Sequence, residues 1–188
     1  FNARALSQLV PAGGTLLDLG SGSGQFLGYF ARCRPDIRIV GLDLSPTMVE
    51  VGRRDLAEQG LQDRVRLELG DMTDFQSLVP TQVDCVSTVF ALHHLPTAGA
   101  LAKCLAQIAL VRRATGAALW VFDHVRPNHP LTPRIFPEIF TPDSAKEFRQ
   151  DSCNSLIASW RFDELSRALE GVLGEAVTHY RSRLMRLY

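Results

Sequence analysis

Cysteine is scarce in this 188-residue chain, and its placement excludes two classes of site. Cys33, Cys85, Cys104 and Cys153 never fall in a C-x-x-C pair, so neither zinc-ligand spacing nor a disulfide framework is present. Cys33, Cys85 and Cys104 sit within apolar stretches and read as buried thiols, which suits a reducing compartment and a cytoplasmic protein. Net charge is lacking as well: 20 Lys and Arg offset 20 Asp and Glu, for a formal charge of +0. No global field therefore recruits nucleic acid or an anionic membrane surface. Basic residues are scattered, with groups at Arg112 and Arg113, suited to a helix C-terminus, and at Arg181, Arg183 and Arg186. Also missing are a signal peptide, an apolar run long enough to span a bilayer, internal repeats and low-complexity tracts. The chain begins at Phe1 rather than Met, which leaves an upstream segment open. Its length suits one domain, residues 1–188, with a full core.

What is present centres on Leu16-Leu17-Asp18-Leu19-Gly20-Ser21-Gly22-Ser23-Gly24-Gln25-Phe26. An apolar strand runs into a glycine loop, and a helix follows to Cys33, so backbone N–H groups are presented at a helix start. Such a loop suits a nucleotide-like cofactor. The dinucleotide fingerprint G-x-G-x-x-G fails at its third position, which is Gln25, and no Gly-Lys-Ser/Thr follows for a Walker loop. No Lys or Arg occurs from Leu16 to Phe30, and Asp18 would repel a phosphate while attracting a cationic amino acid end. The balance favours S-adenosylmethionine over a dinucleotide. The plainer alternative is a tight strand-to-helix turn without a ligand.

Two more acids follow the ends of apolar strands. Asp43 closes Ile37–Leu42 at about 20 residues beyond the glycines, where an acid reaches ribose hydroxyls. It also precedes Ser45-Pro46, a good helix N-cap and first helical residue, and both roles are compatible. Asp71 follows the alternating stretch 64–69; its carboxylate can accept from an exocyclic amine while the Met72 N–H meets a ring nitrogen. A solvated Gly-Asp turn is the alternative.

With these residues in place, the chain resembles the class I S-adenosylmethionine-dependent methyltransferases, in their small-molecule, quinone-biosynthesis-like branch. The matching stretches are LLDLGSGSGQF (16–26), VGLDLSPTMVE (40–50), LGDM (69–72), VDCVSTVFALHHLP (83–96) and, more weakly, ALWVFDH (118–124). By that resemblance Gly20, Ser21 and Gly22 approach the methionine end, with Asp18 supporting the loop. Asp43 holds the ribose, Leu44 packs on adenine, Asp71 and Met72 read the base, and Phe90 turns its carbonyl toward the cofactor's amino group.

Hydrophobic periodicity alternates helix and strand. It predicts helices over 3–10, 24–33, 46–59 and 97–113, and strands over 15–19, 37–42, 64–69, 83–90 and 117–122. The fold class is α/β: a doubly wound, mostly parallel sheet with helices on both faces, the Rossmann-like methyltransferase fold. Ligands then bind beyond the carboxyl ends of the strands, where Gly20, Asp43, Asp71 and Phe90 fall. Residues 124–160 break the rhythm. Pro127, Pro130, Pro133 and Pro137 cut any long helix, yet Phe136, Phe140 and Phe148 are too apolar for a linker. The segment reads as a lid with a short helix from about Pro142, its aromatics forming an apolar wall for the acceptor. A contact between copies in a homo-oligomer is the alternative. A helix over 162–169 and a single strand over 176–187 complete the chain, one strand short of the family's closing hairpin.

The expected activity is methyl transfer to a small organic acceptor by O-, C- or N-methylation. A non-catalytic scaffold on the same fold and a nicotinamide-dependent oxidoreductase are the alternatives. A base is needed only where the acceptor must lose a proton. His93, His94, Asp123 and His124 line the right face, but the simpler reading has one histidine capping the helix near Thr97, and none is assigned as catalytic. No metal site is implied.

Overall fold

The computed structural model describes residues 1–174 and 177–180. Five strands form one parallel sheet: β1 (Thr15–Leu19), β2 (Arg38–Asp43), β3 (Val65–Leu69), β4 (Cys85–Val89) and β5 (Ala118–Phe122), in the order β3-β2-β1-β4-β5. The chain runs outward from β1 to β3, then returns to the other side of β1 for β4 and β5. This reversal opens a crevice at the carboxyl ends of β1 and β4, the expected ligand position in such sheets. The helices are α1 (Asn2–Leu9), α2 (Gln25–Cys33), α3 (Pro46–Glu58), α4 (Ala98–Thr115), α5 (Thr132–Phe140), α6 (Lys146–Ala158) and α7 (Phe162–Leu173).

Strand alternation explains the two cores. Leu17 and Leu19 point to one face, where they join Leu105 and Ile108 of α4 and Leu165 and Leu169 of α7. Leu16 points to the other, with Leu6 of α1, Leu27 and Phe30 of α2, and Leu56 of α3. Each such buried side chain contributes roughly 1.5–3 kcal/mol of transfer free energy, so apolar runs in β1, β2 and β4 are what a sheet covered on both faces requires.

Helix ends follow local chemistry. The Ser45 hydroxyl accepts from the Met48 N–H at 3.3 Å, and Pro46 opens α3. Thr97 caps α4 by accepting from the Ala100 N–H at 3.1 Å. Neither His93 nor His94 takes that role, because the Thr97 hydroxyl sits one residue before the helix. Gly116, at φ +73°, ends α4, and the Arg112 guanidinium donates to the Ala117 carbonyl at 3.0 Å.

The excursion after β5 departs from its expected outline. Two helices stand there rather than one: α5 runs over Thr132–Phe140 despite its prolines, and α6 over Lys146–Ala158. Pro133 lies in the first turn, where its missing N–H costs nothing, and the helix is short enough for Pro137 to forfeit a single bond. The ends of the excursion are pinned together. The Arg126 N–H donates to the Trp160 carbonyl at 2.9 Å, and its guanidinium to the Ser159 carbonyl at 2.7 Å. The Trp160 indole N–H then donates to the Leu92 carbonyl at 2.9 Å, tying the excursion to the turn after β4.

Of the strand expected over 176–187, residues 177–180 carry no regular structure, and the remainder, with Arg181, Arg183 and Arg186, lies outside the described residues.

Candidate functional site

The three acids converge at the carboxyl ends of adjacent strands. Asp18 lies in β1, Asp43 ends β2, and Asp71 follows β3 by two residues. Asp43 organises the glycine loop: its Oδ2 accepts from the Gly22 N–H at 2.7 Å and its Oδ1 from the Ser45 N–H at 2.9 Å. Each oxygen has a second lone pair left for a ligand. Asp18, expected to support the loop, instead accepts from the Ser87 hydroxyl at 2.5 Å, its register partner on β4. Asp18 is buried, and desolvation, opposed by the Ser87 bond and reinforced by Asp43, raises its carboxyl from 3.8 to about 7. Its negative charge is thus poised to be completed by a cation rather than already spent on one.

The glycines divide by task. Gly20, at φ +73°, has no room for a side chain, since a Cβ there would stand 2.3 Å from the Ala91 Cβ. Close packing alone requires this glycine, and it locks the loop after β1 to the turn after β4. Gly22, at φ +56°, faces open space: a Cβ added there would meet nothing within 4 Å. The adjacent Ser21 hydroxyl is buried without a hydrogen-bond partner among the described residues. An open left-handed glycine beside an unsatisfied hydroxyl is the form of a ligand cradle.

Asp71 is exposed and makes an Asx turn, its Oδ1 accepting from the Thr73 N–H at 2.7 Å. The turn orients the carboxylate without consuming its second oxygen. Leu44 is 68% exposed beside Asp43, an apolar surface without cover. The Met72 side chain reaches within 3.1 Å of the point where a Cβ on Gly20 would stand, so Asp71, Met72, Gly20 and Ala91 bound one continuous region.

Beyond β4 the backbone does something unexpected. Phe90 has φ +55°, making it the one non-glycine residue in the left-handed region among the described residues. Its N–H donates to the Phe122 carbonyl at 2.7 Å, which prolongs the β4–β5 pairing by one bond and holds the strained residue in place. The Phe90 ring stacks on His124 at 4.6 Å between centroids and meets Phe122 edge-on at 5.1 Å.

Next along the chain, the 3₁₀ turn Leu92–His94 brings His93 to Asp123, just past β5. Asp123 accepts three hydrogen bonds: from Nδ1 of His93 at 2.6 Å, from the His93 N–H at 3.1 Å and from the His124 N–H at 2.7 Å. Both side chains are buried, and Nε2 of His93 has no hydrogen-bond partner among the described residues. The His94 ring is tilted at 37° against that of His93, 4.2 Å between centroids, and His94 is exposed. Partial desolvation, then His93, holds His94 below its ordinary value; burial, opposed by Asp123, does the same for His124.

The excursion's aromatics do not bury as a wall. Phe136 and Phe140 stack on one another at 4.4 Å, and Phe140 and Phe148 remain 59% and 53% exposed. The two prolines, Pro133 and Pro137, occupy the packed side of α5 and turn its apolar face outward. Cys33 is likewise exposed rather than buried, whereas burial pushes the Cys85 and Cys104 thiols up to about 12. Ser87 and the Phe90 conformation escaped the sequence reading. Ser87-Thr88, two polar residues inside an apolar strand, was the available signal for the first; nothing in the sequence marks the second.

Among the described residues no cluster of His, Cys, Asp and Glu could hold a metal ion, and no helix is long and apolar enough to cross a membrane.

Residues 16–116 match the family model described as a methyltransferase domain. The chain belongs to that family. A ubiquinone/menaquinone biosynthesis C-methyltransferase from Hahella chejuensis is 26% identical over 128 residues, covering 68% of this chain and 49% of the relative. The chain spans half or less of the length of the first curated relatives it matches. Among solved structures, a SAM-dependent methyltransferase from Aquifex aeolicus superposes with TM-score 0.64 at 20% identity, over 90% of this chain and 77% of that one. The cyclase SpnF aligns with TM-score 0.64 at 19% identity, over 91% and 56%. Likeness at this level establishes the fold, the Rossmann-like architecture expected from the sequence, and leaves the chemistry to the site.

Proposed function

We propose that this chain transfers a methyl group from S-adenosylmethionine to a small organic acceptor, by O-, C- or N-methylation. The observation that carries this reading is the set of three acids at the ends of β1, β2 and β3, around a glycine loop free of basic side chains. Such a site repels phosphate and favours a ligand with a cationic end. The residues present fit that cofactor. Gly22 and Ser21 would border its amino acid end, with Asp18 beneath them supplying negative charge. Asp43 would take the ribose hydroxyls, Leu44 would cover adenine, and Asp71 with the Met72 N–H would read the base edge. The Phe90 carbonyl, turned by its positive φ, would receive the amino group.

Bound there, the cofactor supplies an electrophilic methyl group on a cationic sulfur. The chain's own contribution is positioning and the exclusion of water. Water exclusion falls to residues 124–160 as a lid, tied to the turn after β4 through Trp160 and Leu92. Four free cysteines, two of them buried and unreactive, suit a cytoplasmic setting.

Calorimetric titration tests the assignment. S-adenosylhomocysteine should bind and a nicotinamide dinucleotide should not. Asp43→Ala should weaken the former by about 1.5–3 kcal/mol, the range for hydrogen bonds to a charged group. Binding of the dinucleotide instead, or undiminished binding by a folded Asp43→Ala variant, contradicts the reading.

A further inference from the structure

Resting on the methyl-transfer reading, we propose that Trp160 is a positioning residue: its indole N–H, reaching from the foot of the excursion, holds the turn after β4 in the shape that grips the cofactor.

The need for such a support comes from Phe90. A non-glycine residue in the left-handed region persists only where its surroundings over-determine it. Phe90, at φ +55°, is also the residue whose carbonyl is assigned to the cofactor's amino group, so relaxing its backbone would swing that carbonyl away. Its N–H is held by the Phe122 carbonyl at 2.7 Å, which fixes the side toward β4. The residues that follow must fix the other. Ala91 is buried against Gly20 with no space between them, so the turn and the cofactor loop cannot move independently. His93 is tied to Asp123 through both its backbone and its ring.

Trp160 bears on this turn from the excursion. Its indole N–H donates to the carbonyl of Leu92, itself fully buried, at 2.9 Å. The same carbonyl accepts from the Leu95 N–H at 3.1 Å, which closes the 3₁₀ turn. The turn therefore keeps its own closure without the indole, and what the indole adds is placement. Trp160 is well seated for that task. Its side chain packs against the core shared by α4 and α7, and its carbonyl accepts from the Arg126 N–H at 2.9 Å. The Arg126 guanidinium holds the neighbouring Ser159 carbonyl at 2.7 Å. From Trp160 to the cofactor loop the path is Leu92, Ala91 and Gly20: one hydrogen bond, one peptide link and one close contact.

The cost of a left-handed non-glycine residue and the net worth of one hydrogen bond are of the same order. Losing the indole donor is enough to let Phe90 relax in part of the population, and affinity falls with the fraction that stays competent. The coupling is reciprocal: a cofactor that favours the supported turn also strengthens the Trp160 bond.

Calorimetry with S-adenosylhomocysteine tests this on protein carrying β-(3-benzothienyl)alanine at position 160, where sulfur replaces the N–H in a side chain of the same shape. At a temperature where both proteins are folded, affinity should fall roughly two- to tenfold, and Trp160→Phe should do the same. Asparagine tolerates the left-handed region, so in a Phe90→Asn background the same replacement should cost about twofold at most. A support that served stability alone would not show this dependence on residue 90. If neither variant at position 160 folds, the parent decides. Its two tryptophans give two indole N–H signals, told apart by Trp120→Phe, and that of Trp160 should exchange with solvent more slowly once S-adenosylhomocysteine is bound. Undiminished affinity in a folded variant, an equal loss in the Phe90→Asn background, or Trp160 exchange that ignores the ligand overturns the role of Trp160 alone. Absent binding of S-adenosylhomocysteine by the parent removes the methyl-transfer reading, and this inference with it.

Discussion

Replacing Asp18 by Asn isolates the cost of burying a carboxyl beneath the cofactor loop. Burial raises Asp18 from 3.8 to about 7, so between those values the folded protein holds a proton that the unfolded chain releases. Stability from this group is therefore fully present below the unfolded value and is lost as pH rises through the folded one. At about 1.36 kcal/mol for each pH unit between the two values, the loss is about 4 kcal/mol between about pH 4 and about pH 8. An Asn amide oxygen can still accept from Ser87, so the variant keeps the hydrogen bond and removes the titration. Urea unfolding of both proteins across that pH range cancels every other titrating group in the difference. The parent should lose about 4 kcal/mol relative to Asp18→Asn on going from acid to alkaline pH, an upper figure because relaxation and water entry soften the burial. A difference that stays constant with pH would refute the idea that Asp18 is buried without a compensating cation.

Gly20→Ala should destabilise by roughly 2–4 kcal/mol in the same unfolding assay, because the added carbon meets Ala91 at 2.3 Å on a left-handed backbone. Gly22→Ala has open space and should cost only about 1–2 kcal/mol of backbone strain in stability while weakening cofactor binding in calorimetry. At the base site, an inosine analogue of S-adenosylhomocysteine should bind less tightly than the adenosine form by about 1.5–3 kcal/mol, and Asp71→Asn should narrow the gap because an amide also donates. Equal affinities in the parent would remove Asp71 from base recognition.

The sheet was legible because β1 through β5 are short apolar runs bounded by glycine, proline and capping residues, and local chemistry fixes such boundaries. Thr15–Leu19 is the clearest case, matching the expected strand residue for residue. The acids were legible for a related reason: each stands where a strand ends, and a parallel sheet brings strand ends together whatever the details. The excursion was harder. Proline rules forecast breaks, but Pro133 and Pro137 sit four apart on one packed side of α5, where the helix tolerates them. That Asp43 also accepts from the Gly22 N–H and that Asp18 accepts from Ser87 depend on register across strands, Asp18 opposite Ser87, which spacing along the chain does not encode. The histidine pair was visible as His93-His94, but their division was not. Only the 3₁₀ turn decides that His93 turns inward to Asp123 while His94 stays at the surface.

A structure of the protein crystallised with S-adenosylhomocysteine tests the central claim most directly. The ribose hydroxyls should lie on Asp43, the adenine edge on Asp71 and the Met72 N–H, and the amino acid end over Ser21 and Gly22. A ligand seated away from the carboxyl ends of β1, β2 and β3, or one whose ribose leaves Asp43 untouched, would contradict it.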